Sequence, residues 1–207
     1  MKKILVLAPH TDDGELGCGG TVARMIEEGN EVYFAVFSTC LESVPEGFPD
    51  NVLETEFLAA MSHYGIPRER VFIFDFPVRH FPAHRQEILE ELVRLNRSIA
   101  PDLVFAPSLH DVHQDHHTVA EETIRAFKRT SILGYEEPWN NLTFNNQVYI
   151  TLEERHLDSK IRAIGLYESQ HGRTYTSPEY IRSLAMTHGV QIGRPLAEVF
   201  ETERWIL

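Results

Sequence analysis

The sequence predicts an α/β fold of three layers, a Rossmann-like, mostly parallel sheet with helices on both faces. Three observations lead there. Short apolar runs rich in β-formers recur at residues 3–8, 31–37, 71–74 and 102–106, the pattern of strands buried on both faces. Stretches with helical periodicity separate them, so strand and helix alternate, as a parallel sheet with crossover helices requires. A chain of 207 residues, 43% of them hydrophobic, is ample for one compact core and short for two. Residues 1–207 are therefore expected to form a single domain.

Taken in order, KILVLA at 3–8 is the first strand, and a polar loop and the glycines of 17–20 follow it. Residues 21–28 have helical periodicity and stop at Gly29. Residues 31–37 are the second strand, and the two prolines and one glycine of 40–50 mark a loop. Helices are expected over 53–63, ending near Gly65, and over 85–97, where Ile88, Leu89, Leu92, Val93 and Leu95 form an apolar stripe. A short strand at 71–74 lies between them. The strand at 102–106 follows Pro101, and residues 117–128 read as helix. Beyond Ser131 the pattern loosens to a strand at 147–151 and helices at 153–167 and 179–186.

Composition narrows the function classes. A formal net charge of −12 argues against nucleic acid as a partner, since phosphate binding needs basic patches. No apolar run reaches the roughly 20 residues that span a bilayer, so no membrane partner is expected. The N-terminal MKKILVLAPH reads as a buried first strand, because His10, Asp12 and Asp13 interrupt it before any cleavage site. Two cysteines, Cys18 and Cys40, are too few for a disulfide framework, which points to a reducing compartment and a cytoplasmic location. A small molecule is the expected partner, and self-association into a homo-oligomer is compatible with the sequence. Histidine is the unusual residue: 11 are present, and four fall within residues 110–117.

In open parallel sheets, ligands bind beyond the carboxyl ends of the strands. Two strand ends here carry the densest polar chemistry. The first strand runs into Pro9-His10-Thr11-Asp12-Asp13, and the strand at 102–106 runs into residues 107–116, including His110, Asp111, His113, Asp115 and His116. Alone, a pair of aspartates after a strand serves equally well as a helix cap, and a His-x-x-His is common in a histidine-rich chain. Together, at one sheet edge, the loops offer the imidazole nitrogens and carboxylate oxygens that zinc accepts. A catalytic zinc takes three protein ligands and keeps one position for water. Two ligands from the first loop and one from the second would complete that set, leaving a carboxylate and an imidazole for proton transfer and oxyanion stabilisation.

At residues 10–20, His-Thr-Asp-Asp-Gly-Glu-Leu-Gly-Cys-Gly-Gly resembles the N-terminal motif of the LmbE-like (PIG-L) zinc-dependent de-N-acetylases, and His113-Gln114-Asp115-His116 resembles their His-x-Asp-His motif. The match covers about the first 120 residues, with both motifs in the right order and strand context. The resemblance implies a hydrolase of linear amide C–N bonds, an N-deacetylase acting on a molecule that contains N-acetylglucosamine. It implies that His10, Asp13 and His116 hold Zn²⁺, with Fe²⁺ a possible occupant of the same mixed nitrogen and oxygen set. It further implies that Asp12 is the general base and that His113 faces the oxyanion or protonates the leaving amine. Asp115 would orient a histidine, with His113 the expected one. The sequence departs from many family members at Thr11, where they have Pro, and at Gly14, where they have Glu, with Glu15 one place later. Glu15 orients a ligand or caps the helix. In a loose alignment, Glu54 stands where relatives carry an Arg near the start of the second helix.

Other residues carry weaker signals. Arg79 and His110 are candidates for substrate contact, with surface ion pairing the alternative for Arg79 and plain solvation for His110. Gly17, Gly19 and Gly20 lack nucleotide-loop spacing and suit close packing instead. The segment 134–146 combines Tyr135, Trp139, Phe144 and several asparagines, a composition that suits sugar recognition or a surface loop, and residues 171–173 and 189–193 could close over the site. Three rival readings stand beside the deacetylase: a related metal amidase that removes another acyl group or acts on a non-sugar amine, a receiver-type module with Asp75 as its central aspartate, and a non-enzymatic binding module.

Overall fold

The computed structural model describes residues 1–206. Seven strands form one sheet: β1 (Lys3–Ala8), β2 (Glu31–Val36), β3 (Val71–Ile73), β4 (Leu103–Pro107), β5 (Ser131–Tyr135), β6 (Val148–Thr151) and β7 (Ala197–Arg204). Their order is β3-β2-β1-β4-β5-β7-β6. The first five are parallel, and β7 runs antiparallel to both β5 and β6. Among the described residues, six α-helices surround the sheet: α1 (Asp13–Glu27), α2 (Val52–His63), α3 (Arg85–Ile99), α4 (Gln114–Ala126), α5 (Glu154–Gly165) and α6 (Pro178–Gln191).

Alternation along β1 explains the layers. Ile4 and Val6 face one core with Val22 of α1, Phe57 and Met61 of α2 and Ala163 of α5. Leu5 and Leu7 face the other, with Ile88 and Leu92 of α3 and Val119 of α4. Both faces of the strand are buried, which is why it reads as an unbroken apolar run. The chain winds outward from β1 through β2 to β3, then α3 carries it back to β4 on the opposite side of β1. The carboxyl ends of β1 and β4 are therefore the switch point where an open α/β sheet has its crevice.

The first helix begins earlier than its periodicity suggests. It starts at Asp13 and continues through the glycines, with a break at Cys18 (φ −144°, ψ 19°). The glycines are needed for closeness: a Cβ on Gly17 would lie 2.3 Å from Cδ2 of Tyr135. At the break, Glu198 of β7 accepts from the backbone N–H groups of Gly20 (3.1 Å) and Thr21 (2.6 Å). Lys160 of α5 donates to the Leu16 carbonyl oxygen and to Glu198, both at 2.6 Å. The buried Lys160–Glu198 pair thus satisfies both sides of the helix break. Replacing Lys160 with Met leaves the Glu198 carboxylate buried without its cation. The expected loss of about 3–5 kcal/mol in unfolding free energy would show as a lowered urea midpoint with unchanged slope.

Candidate active site

The loop after β1 and the start of α4 meet at the switch point. His10 Nδ1 lies 3.2 Å from Asp13 Oδ2, His116 Nε2 lies 3.3 Å from the same oxygen, and the two nitrogens are 3.1 Å apart. The outer nitrogen of each imidazole faces a carboxylate: His10 Nε2 is 3.1 Å from Asp115 Oδ2, and His116 Nδ1 is 2.8 Å from Asp111 Oδ2. Those carboxylates hold the outer protons, so the inner nitrogens present lone pairs. Two lone pairs and a carboxylate oxygen face one another, an arrangement that is repulsive until a cation or a proton enters. Tetrahedral zinc, with bonds of ~2.0–2.1 Å, separates its ligands by about 3.3 Å. The three donors already stand at that separation and fit the ion.

Electrostatics agree. Burial disfavours ionised Asp13, yet His116 and His10 outweigh it and hold its carboxyl well below the usual range. Burial also disfavours protonated His10 and His116. Asp13 and Asp115 reverse this for His10, and Asp13, Glu137 and Asp111 push His116 well up. The site attracts positive charge. Other triplets within 4.8 Å are His10, His113 and His116, and Asp13, His116 and Glu137.

Asp115 is fixed by backbone. The N–H groups of Arg79 (2.5 Å) and Phe81 (3.2 Å) donate to its two oxygens. These contacts and His10 hold its carboxyl below the usual range against burial. Arg79 adopts φ 70° to aim its N–H there, a left-handed conformation that non-glycine residues rarely take. Asp115 therefore orients His10, where the sequence pointed to His113. His113 caps α4, its Nδ1 accepting from the Asp115 N–H at 3.2 Å. Burial, His116 and His10 all lower its pKa, so the ring is neutral and carries its proton on Nε2.

Asp12 stands at the N-cap position of α1, but its side chain makes no capping bond. It lines the cavity, and burial with the neighbouring Asp13 pushes its carboxyl up to about 6. Glu15 is buried beneath it, its carboxyl raised by burial to about 8. Tyr167 Oη bridges Glu15 and the Thr11 carbonyl oxygen. A phenol has one proton to give, so a protonated Glu15 donating to Tyr167 satisfies both contacts. Glu15 props the loop that carries Asp12 through Tyr167, and its side chain neither caps the helix nor bonds a candidate metal ligand, the two roles the sequence offered.

The cavity above these groups measures about 270 Å³, and its walls include Leu53, Arg79, Glu137, Trp139 and Arg173. Arg79 lines it while its guanidinium pairs with Glu42 at 3.7 Å. His110 lies outside it, half exposed and 4.0 Å from Glu201. Leu53, rather than Glu54, is the α2 residue on the wall. Trp139 stacks on Tyr175 at 4.1 Å, bringing the segment after β5 and the 171–176 segment together. Asp75 hydrogen-bonds Thr39 and does not line the cavity, and Asp13 is engaged with histidines, so a receiver's acidic triad is not assembled.

Asp111 and Glu137 are the residues that sequence reasoning undervalued or missed. Asp111 was legible as part of the second loop, but its burial against His116 was not. Glu137 follows β5, a strand the pattern did not reveal. Asp111→Asn is expected to weaken metal affinity about 10- to 100-fold, measured by competition with a chromophoric chelator.

A histidine- and aspartate-lined cavity at the switch point of a Rossmann-like sheet has the makings of a hydrolase of the N-deacetylase class. The model of the PIG-L family, described as GlcNAc-PI de-N-acetylase, matches residues 5–127, and the chain belongs to that family. It is 29% identical over 173 residues to a protein named uncharacterized deacetylase YaiS of Escherichia coli strain K12, covering 81% of this chain and 91% of that one. It is 23% identical to the diacetylchitobiose deacetylase of Thermococcus kodakarensis, covering 96% and 82% of the two chains. The structure of N,N'-diacetylchitobiose deacetylase from Pyrococcus horikoshii superposes with a TM-score of 0.82 at 21% identity, over 97% of this chain and 83% of that one. The chain is an N-deacetylase-type hydrolase, and no helix among its described residues is long and apolar enough to cross a membrane.

Proposed function

We propose that the protein is a zinc-dependent deacetylase that hydrolyses the N-acetyl amide of a small molecule containing N-acetylglucosamine, working as one domain over residues 1–207 in the cytoplasm. The convergence of His10 Nδ1, Asp13 Oδ2 and His116 Nε2 carries this reading. These three residues would hold the metal, and the same mixed donor set would also accept Fe²⁺. Two relatives named for diacetylchitobiose support the sugar substrate. Two free, buried cysteines support a reducing compartment.

When bound, the cation would polarise the amide carbonyl and acidify water beside it. Asp12, free of any capping bond, takes the proton from the attacking water. His113 turns its Nε2–H toward the oxygen that gains charge as the carbonyl becomes tetrahedral. Asp12 then returns the proton to the leaving nitrogen, releasing acetate and a free amine. Asp115 and Asp111 keep His10 and His116 in the tautomers that point lone pairs inward.

The test is mass spectrometry of products from a panel of N-acyl amines. Acetate and glucosamine-type amines are the expected products. Release of only longer acyl groups, or turnover of only non-sugar amines, would shift the assignment to the related amidase. No turnover of any acylated amine by metal-loaded enzyme would overturn the reading.

A further inference from the structure

We infer that Glu137 is a specificity-determining residue whose carboxyl hydrogen-bonds a hydroxyl on the amine part of the substrate. This rests on the amide-hydrolysis reading and adds what the site recognises beside the amide. Glu137 follows β5 at the same sheet edge as the loops after β1 and β4, and it is only 1% exposed. Its backbone N–H donates to Asn141 Oδ1 at 2.6 Å, and Asn140 Nδ2 donates to its Oε2 at 3.2 Å. Its Oε1 is buried and has no partner. His116 cannot supply one: its Nδ1 is 3.6 Å from Glu137 Oε2, and the single proton there already goes to Asp111 at 2.8 Å.

A buried carboxyl oxygen without a hydrogen-bond partner is costly, and Glu137 lines the cavity. A hydroxyl arriving with the substrate, able to donate or accept, would relieve that cost. The neighbours indicate its kind. Trp139 offers an aromatic plane, and Asn140 and Gln170 offer amides, all lining the same cavity. Carboxyl, amides and an aromatic plane together suit a polyol, whose hydroxyls bond the polar groups while its C–H face lies on the ring. A cationic amine is disfavoured by Arg173, which lines the cavity and donates to Tyr175 Oη at 2.6 Å. The segment 139–141 is held to the metal-side loop by the Val112 N–H on the Asn140 carbonyl oxygen (3.2 Å) and by the Asp111–Asn141 bridge. Glu137 is therefore presented from a braced turn.

The experiment compares N-acetylglucosamine with N-acetylcyclohexylamine, a ring amide lacking hydroxyls, on wild type, Glu137→Val and Glu137→Gln. Glu137→Val is expected to lower the ratio of kcat/KM between the two substrates about 10- to 100-fold. Glu137→Gln, which keeps a hydrogen-bonding group of the same shape, is expected to restore that ratio to within about fivefold of wild type. Metal content should be the same in all three proteins. An unchanged ratio in Glu137→Val would overturn the inference, and so would metal loss in that variant. If wild type hydrolyses neither amide, the amide reading falls. Calorimetric binding of glucosamine against cyclohexylamine to wild type and Glu137→Val then decides the role of Glu137 by the same ratio.

Discussion

Asp12→Ala is expected to lower kcat for acetamide hydrolysis about 100- to 10,000-fold while metal content stays near one ion per chain. The expectation follows from what this side chain does not do. Asp12 occupies a helix N-cap position, where aspartate usually bonds the first turn, yet it makes no such bond. Its carboxyl lines the cavity beside the three converging donors without belonging to their triangle. Burial and Asp13 raise it to about 6, making it a better proton acceptor than a solvated aspartate. Because it forms no cap, its removal should cost little stability, so a thermal midpoint near wild type separates lost chemistry from lost fold. Asp12→Asn, which keeps the shape and loses the basicity, should fail to the same degree. Near-wild-type turnover in either variant, assayed by acetate release, would remove Asp12 from the role of base.

His116→Ala is expected to abolish both metal binding and activity. His116 supplies one corner of the donor triangle and is 2% exposed. Its loss also strands Asp111, whose buried carboxylate accepts from the imidazole at 2.8 Å, and separates Asp13 from one of two partners. Leaving such charges unpaired costs about 3–5 kcal/mol, so this variant should also be visibly less stable than Asp12→Ala. Metal analysis after gel filtration, read beside a urea melt, distinguishes the two contributions. Full metal occupancy in His116→Ala would show that the ligands are other residues.

How much was legible in the sequence depended on how local the cause was. The strands at 3–8 and 102–106 lie in the sheet centre, so their unbroken apolar runs announce them, and the loops that follow had to share an edge. His10, Asp12, Asp13, His113, Asp115 and His116 were legible for that reason, and the cavity brings all six together except for Asp115, which sits behind His10. The early start of α1 was hidden because its glycines argue against helix by propensity. Their purpose is contact with Tyr135 and other elements far away in sequence. β7 was hidden by Glu198 and Glu201, acidic residues that break an apolar pattern. Both are buried, Glu198 against Lys160 and Glu201 against Asn145. Glu137 was hidden with β5, since nothing local says that its carboxyl faces the site. The partner of Asp115 depended on the turn at Arg79, whose φ of 70° no spacing rule would suggest.

In the proposed function, N-deacetylation depends on a metal ion held by His10, Asp13 and His116. The most direct measurement is acetate release from N-acetylglucosamine-containing substrates by protein stripped with a chelator and then titrated with Zn²⁺. No turnover is expected without metal, and recovery should saturate near one ion per chain. Undiminished acetate release by fully stripped protein would contradict that dependence.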